Sequence, residues 1–144
     1  MARDPRLDPR NILTTKLQSD EKVLALEDGW RLCPEFRMTG VVPAHVLAGH
    51  ALSRKIIGGT WVRGVWAVTT ANLRYVSSRR GPFTGSQTFD VSIPLKSLVA
   101  IERRRSTIRS IYEILYRGGS VRCSLSHPEK LLTQITGSTQ IVPM

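Results

Sequence analysis

From Trp61 onward, apolar and polar residues alternate with period two in short runs separated by turn residues. That is the pattern of half-buried strands in an antiparallel sheet or barrel. A first run covers Trp61 to Thr69. A second, Leu73 to Ser78, follows a turn at Thr70-Ala71-Asn72, where Asn tolerates a left-handed backbone. The stretch Arg79 to Gly85, with its Gly and Pro residues, reads as a loop. The third run then sets Phe89, Val91 and Ile93 on one face and stops at Pro94. A fourth run spans Leu98 to Arg103, and a fifth carries Ile108, Tyr112, Ile114 and Tyr116. Gly118-Gly119 supplies a hairpin turn into the sixth, in which Val121, Cys123 and Leu125 face inward and Arg122, Ser124 and Ser126 outward. The order of runs is a meander.

Helical signals flank the meander. Ser126-His127-Pro128-Glu129 places Ser and Glu three apart with Pro in the first turn, a capping box. Leu131, Leu132 and Ile135 follow on one face, with Gly137 as the stop. A short amphipathic helix here covers an open end of a curved sheet. At the other end, Asp4-Pro5-Arg6 and Asp8-Pro9-Arg10 repeat one tripeptide, and prolines so close exclude regular structure, predicting a flexible arm over residues 1–10. Asp8 before Pro9 also suits the start of a short helix with Ile12, Leu13, Lys16 and Leu17 at helical spacing. Glu21 to Leu26 reads as a strand or helix end stopped by Asp28-Gly29. Trp30 to Gly59 has no clean period; within it, Pro43 to Ile57 fits a helix closed by Gly58-Gly59. The chain thus divides into an arm (1–10), an N-terminal segment packed on or inserted into the barrel (11–59), a barrel with its helix (60–137) and a loose tail (138–144).

Two segments resemble a known family. Gly64-Val65-Trp66-Ala67-Val68-Thr69-Thr70-Ala71-Asn72-Leu73-Arg74-Tyr75-Val76 is similar to the early hairpin of bacterial pleckstrin-homology-like and GRAM-like domains. A strand there ends in Thr, a polar turn follows, and the next strand opens with Arg-hydrophobic pairs. Ile93-Pro94-Leu95-Lys96-Ser97-Leu98-Val99-Ala100-Ile101-Glu102 resembles the same family's Ile-Pro-Leu segment leading into a strand. The Gly118-Gly119 hairpin and the capped helix fall where that family has its last hairpin and C-terminal helix. The resemblance covers about half the chain, and residues 30–59 do not share it. It implies a mainly β fold with α: a split barrel of about seven antiparallel strands, capped by the C-terminal helix and preceded by an irregular or helical extension. It also implies a binding role toward anionic lipid headgroups, phosphopeptides or protein surfaces, among which fold cannot choose.

Charge changes the picture most. The 144 residues hold 21 Lys and Arg against 11 Asp and Glu, a formal charge of +10 and a pI near 10.6. Residues 57–144 carry a net +8 of this, so the field belongs to the barrel region. Arg dominates Lys, which suits phosphate recognition through paired hydrogen bonds, although a GC-rich coding sequence produces the same bias. The 41% apolar content is ordinary and predicts a single core. Cys33 and Cys123 stand far apart without metal or redox spacing, predicting buried thiols. The N-terminus has no apolar signal region, and no apolar run approaches the roughly 18 residues of a membrane span, so a cytoplasmic protein is expected.

Two basic clusters fall in predicted inter-strand loops: Arg79-Arg80, and Arg103-Arg104-Arg105 with Arg109. Loops on a rigid scaffold are the usual place for binding groups. Near an anionic membrane each basic residue contributes about 1 kcal/mol, so four give about 4 kcal/mol, enough for weak recruitment. The expected function is a non-enzymatic binding or adaptor module whose basic loops engage an anionic partner, an acidic protein surface or a membrane headgroup; the bland reading is a solvated charged surface. The alternative is a nucleic-acid-associated accessory protein, with Arg3, Arg6 and Arg10 of the arm following a groove. No helix-turn-helix, zinc finger or stacking platform supports it. An enzyme ranks last. His45 and His50 are five apart and miss a shared helical metal site, and Ser126-His127 lie within a helix cap. No catalytic pair, metal site or cofactor motif is read, and the oligomeric state is left open.

Overall fold

The computed structural model describes residues 8–36, 38, 42–81, 85–104, 110–125 and 127–138. Ten of its elements are three α-helices and seven β-strands: α1 (Pro9–Lys16), β1 (Val23–Cys33), α2 (Ala44–Ile56), β2 (Thr60–Thr69), β3 (Asn72–Gly81), β4 (Gly85–Pro94), β5 (Leu98–Arg104), β6 (Ile111–Tyr116), β7 (Gly119–Leu125) and α3 (Glu129–Ser138). A 3-10 turn, Leu95–Ser97, joins β4 to β5. The strands form one antiparallel sheet in the order β4-β3-β2-β1-β7-β6-β5.

β1 holds the centre of that order. It pairs with β2 from Val23↔Thr69 to Cys33↔Thr60, and with β7 at Gly29↔Leu125, Trp30↔Ser124 and Arg31↔Cys123. Asp28-Gly29, which the local pattern marks as a stop, lies inside the strand, and pairing continues for four more residues. The physical reason is non-local: backbone groups on both sides of β1 find partners in β2 and β7, which outweighs the turn preference of the Asp-Gly pair.

The sheet folds around its own core. Phe89 and Ile93 of edge strand β4 share one buried cluster with Leu98 and Ile101 of the opposite edge, β5, and Leu131 and Ile135 of α3 enter the same cluster. Strands at the two ends of the order meet in one core only if the sheet curls strongly, and no pairing joins β4 to β5 among the described residues. A second, smaller cluster lies on the outer face, where Leu13 of α1 packs on Val65, Ala67 and Val76. Covering both faces explains why Val65-Trp66-Ala67-Val68 is an unbroken apolar run rather than an alternation.

Local signals account for the helix ends. The Asp8 carboxylate accepts from the Arg10 backbone N–H at 2.9 Å, and Pro9 follows at the first helical position. Gly58 closes the segment after α2 at φ +95°, a left-handed conformation that favours Gly. Ser126, predicted as an N-cap, and Ile108, predicted within a strand, lie outside the described residues. Ser124, expected to face out, is buried between Trp30 of β1 and Ile111 of β6 on the outer side of the sheet.

One buried polar network ties the α1–β1 connection to the β2–β3 turn. The Glu21 carboxylate, fully buried at the side chain, accepts from Arg74 Nε at 2.8 Å and Nη2 at 2.7 Å. The Thr69 hydroxyl and the Asn72 amide, the latter at 3.0 Å, also donate to it. The Arg74 guanidinium holds the carboxyl well below the usual carboxylate range despite burial, with Thr69, Asn72 and the Gln18 backbone N–H adding to the effect.

Candidate anion-binding surface

The described residues of the two predicted basic loops are strand. β3 and β4 pair out to Arg80↔Ser86 and Gly81↔Gly85, which puts Arg79 and Arg80 on the ladder; residues 82–84 lie outside the described residues. Arg79 is exposed, on the same side of β3 as buried Ser77 and Tyr75. Its guanidinium lies 5.6 Å from the centroid of the Phe36 ring. Phe36 is buried, stacks on Phe89 at 5.9 Å and 18°, and meets His50 of α2 at 5.7 Å. A cation held over an aromatic face is positioned without losing its charge.

Beside this group stands Arg31, which the sequence pattern does not single out. It is buried, forms a salt bridge with Glu35, donates to Cys33 Sγ at 3.4 Å, and lies 5.7 Å from the Tyr75 ring centroid. Its Nε has no hydrogen-bond partner among the described residues. Arg31, Phe36, His50 and Arg79 thus come together at one end of the curled sheet, where the C-terminal end of β1 meets α2 and β3. Nothing in residues 30–59 marks Phe36 or Arg31, because that segment has no hydrophobic period.

β5 runs through Arg104, so Arg103 and Arg104 alternate instead of sharing a turn. Arg103 opposes Tyr112, which opposes Cys123, which opposes Arg31; directly paired residues share a face, so Arg103 lies on the core side of the sheet at its exposed edge. Three strand spacings of about 4.8 Å put it roughly 14 Å from Arg31 along the ladder. Arg104 points the other way. Its Nε donates to Glu113 at 2.9 Å, and its Nη2 lies 3.5 Å from Glu102, while Arg122 approaches Glu113 at 3.9 Å. That outer-face lattice neutralises Arg104. Arg105 and Arg109, and the side chain of Arg80, lie outside the described residues. The structure therefore separates the predicted arginines: Arg79 on an aromatic rim, Arg103 at an edge, and Arg104 in ion pairs.

Acid distribution sharpens this. No Asp or Glu occurs between Glu35 and Asp90, whereas seven Arg and Lys do: Arg37, Arg54, Lys55, Arg63, Arg74, Arg79 and Arg80. Among the described side chains of this set, Arg74 is the one neutralised by an acid, Glu21. α2, β2 and β3 therefore form a cationic sector of the fold, with Arg79 on the core side of the sheet and Arg63, beside Val65, on its outer face.

Other chemistry is sparse. Among the described residues no group of three or more His, Cys, Asp or Glu is arranged to hold a metal ion, and no helix is long and apolar enough to cross a membrane. A small void between the sheet and α3, lined by Trp66, Leu73, Ile101, Tyr112 and Leu131, is apolar. Both cysteines are free and buried, and burial pushes the Cys33 thiol up to about 11 and Cys123 to about 12. Only the thiolate is nucleophilic, so neither thiol should react with iodoacetamide at neutral pH in the folded protein, and both should react in urea. Mass spectrometry of labelled native chain would refute this by a rapid single adduct.

The architecture defines the chain as a mainly β domain, a strongly curled seven-stranded antiparallel sheet with a C-terminal helix. It matches no protein-family model and no curated protein. Among solved structures it is similar to the hSac2 domain from human phosphoinositide phosphatase Sac2, with a TM-score of 0.50 and 12% identity over 99% of this chain and 92% of that chain. At that identity the likeness shows the fold alone.

Proposed function

We propose that the chain is a non-enzymatic binding module of the pleckstrin-homology-like or GRAM-like type that engages an anionic partner through the cationic sector around Arg79. The observation that carries this reading is the acid-free run from residue 36 to 89, folded into α2, β2 and β3 with Arg79 fixed at their rim. A solvated surface meant only for solubility needs no such segregation of sign; a field of one sign steers and holds an oppositely charged partner.

The test compares two variants for retention on immobilised heparin, a soluble-polyanion probe. Arg79→Glu with Arg80→Glu should weaken binding by about thirtyfold or more, from the loss of two contributions of about 1 kcal/mol each. Arg104→Glu, in a guanidinium already bound to Glu113 and Glu102, should change retention far less. Equal losses per charge reversed in the two variants would mean that only net charge matters and would remove the localised site. Retention on duplex DNA with a steep salt dependence, and none on heparin, would favour the nucleic-acid reading instead.

A further inference from the structure

α2 is made of residues that ought to be covered. Seven of its thirteen residues, Ala44, Val46, Leu47, Ala48, Ala51, Leu52 and Ile56, are apolar and spread around the helix, the composition of a buried helix. Among its described side chains, only Val46, His50 and Ser53, one face at i, i+4 and i+7, are half-buried against the sheet end. Leu47 is 50% exposed, Leu52 57% and Ile56 72%, and Ile57 just beyond the helix is 44% exposed. Such a set of large apolar side chains on one exposed element marks an interaction surface. It lies in the segment that the family resemblance does not reach.

We infer that α2 seats in the headgroup region of an anionic lipid bilayer, with Leu47, Leu52 and Ile56 entering the acyl boundary; this rests on the cationic-sector reading and names its partner. Three observations select this occupant. The helix and its surroundings carry Lys55 and Arg79, and the acid beside them, Glu35, is paired with Arg31, which complements an anionic surface. A second copy of the chain would bring +10 against +10 and the same helix against itself. A protein groove takes a narrow stripe at i, i+3, i+4 and i+7, whereas Leu47 and Ile56, nine positions apart, project from opposite flanks. A bilayer interface accepts so wide an arc. Lys55 stands in the middle of it, and its four-carbon stem reaches back to the phosphate level.

The test uses the full chain and co-sedimentation with vesicles of phosphatidylcholine, with and without phosphatidylserine. Wild type should bind only the anionic vesicles. Leu52→Gln with Ile56→Gln should lower partitioning on the order of a hundredfold, since burying each such side chain contributes about tenfold or more. Both positions are exposed, so the circular-dichroism spectrum and melting midpoint should be retained, as should binding to heparin. A single Ala48→Cys labelled with an environment-sensitive dye reports depth directly, because the native thiols are buried; its emission should shift to the blue on anionic vesicles. Heparin binding without vesicle binding by wild type overturns the lipid assignment alone, and loss of both overturns the cationic-sector reading as well. The assignment also fails if the double variant partitions like wild type, if the dye stays water-exposed on bound protein, or if the helix mediates concentration-dependent dimerisation instead of vesicle binding.

Discussion

Glu21→Gln should lower the free energy of unfolding by about 3–5 kcal/mol, because it leaves the Arg74 guanidinium buried without its counter-charge. That is a large share of the roughly 5–15 kcal/mol that holds a typical domain folded. The amide keeps the shape of the carboxylate and some of its hydrogen bonds, so the loss reports the charge. Arg74→Ala should cost less in the Glu21→Gln background than in wild type, since the two side chains act as one unit. The pH dependence follows from the direction of the shift. Glu21 is held below its ordinary value of 4.5, so its contribution is fully present above that value. It is lost as pH falls, because the unfolded chain takes up the proton first. Urea unfolding at neutral pH and again in acid, below the ordinary carboxylate value, should therefore show the gap between wild type and variant narrowing in acid. A gap that stays constant, or one under about 1 kcal/mol at neutral pH, would show that the ion pair contributes little.

Glu21 and Arg74 also show where sequence patterns stop being informative. The β4 face of Phe89, Val91 and Ile93, and the inner face of β7, are legible because side chains alternate across a strand, β2 and β3 because turn residues bound their runs, and the first turn of α1 because Asp8 and Pro9 act locally on the residues that follow. Arg74 reads only as part of an Arg-hydrophobic strand opening, since its partner is 53 residues away. The basic clusters are visible as charges, but their separation is not. Whether an arginine is available depends on cross-strand neighbours such as Glu113 opposite Glu102, and on whether β5 continues one residue further. The rim of Arg31, Phe36 and His50 is illegible for the same reason: its members come from a central strand, a turn and an isolated helix, brought together by the curl of the sheet.

Central placement of β1 makes Gly29 a demanding backbone position, and Gly29→Val should cost about 3 kcal/mol, lowering the melting midpoint by roughly 10 °C for a domain of this size. Gly29 pairs with Gly64 on one side and Leu125 on the other. A Cβ there would meet Leu125 Cδ2 at 2.6 Å, the Ser124 carbonyl oxygen at 2.9 Å and Trp66 Cδ1 at 3.0 Å. The leucine methyl can move; the carbonyl belongs to the paired β7 backbone, and the Trp66 indole is fixed by packing and by donation to the Trp30 carbonyl at 3.2 Å. Intrinsic preference pulls the other way, because Val favours strands and Gly weakens them. The sign of the effect therefore decides between local propensity and tertiary fit. Gly49 of α2 supplies the opposite case, with nothing within 4 Å of an added Cβ. Gly49→Ala should raise hydrogen-exchange protection in α2, consistent with a helix gain of about 1 kcal/mol. Equal midpoints for wild type and Gly29→Val would mean that β1 is not clamped between β2 and β7 at this point, and that the two halves of the sheet join more loosely than the pairing implies.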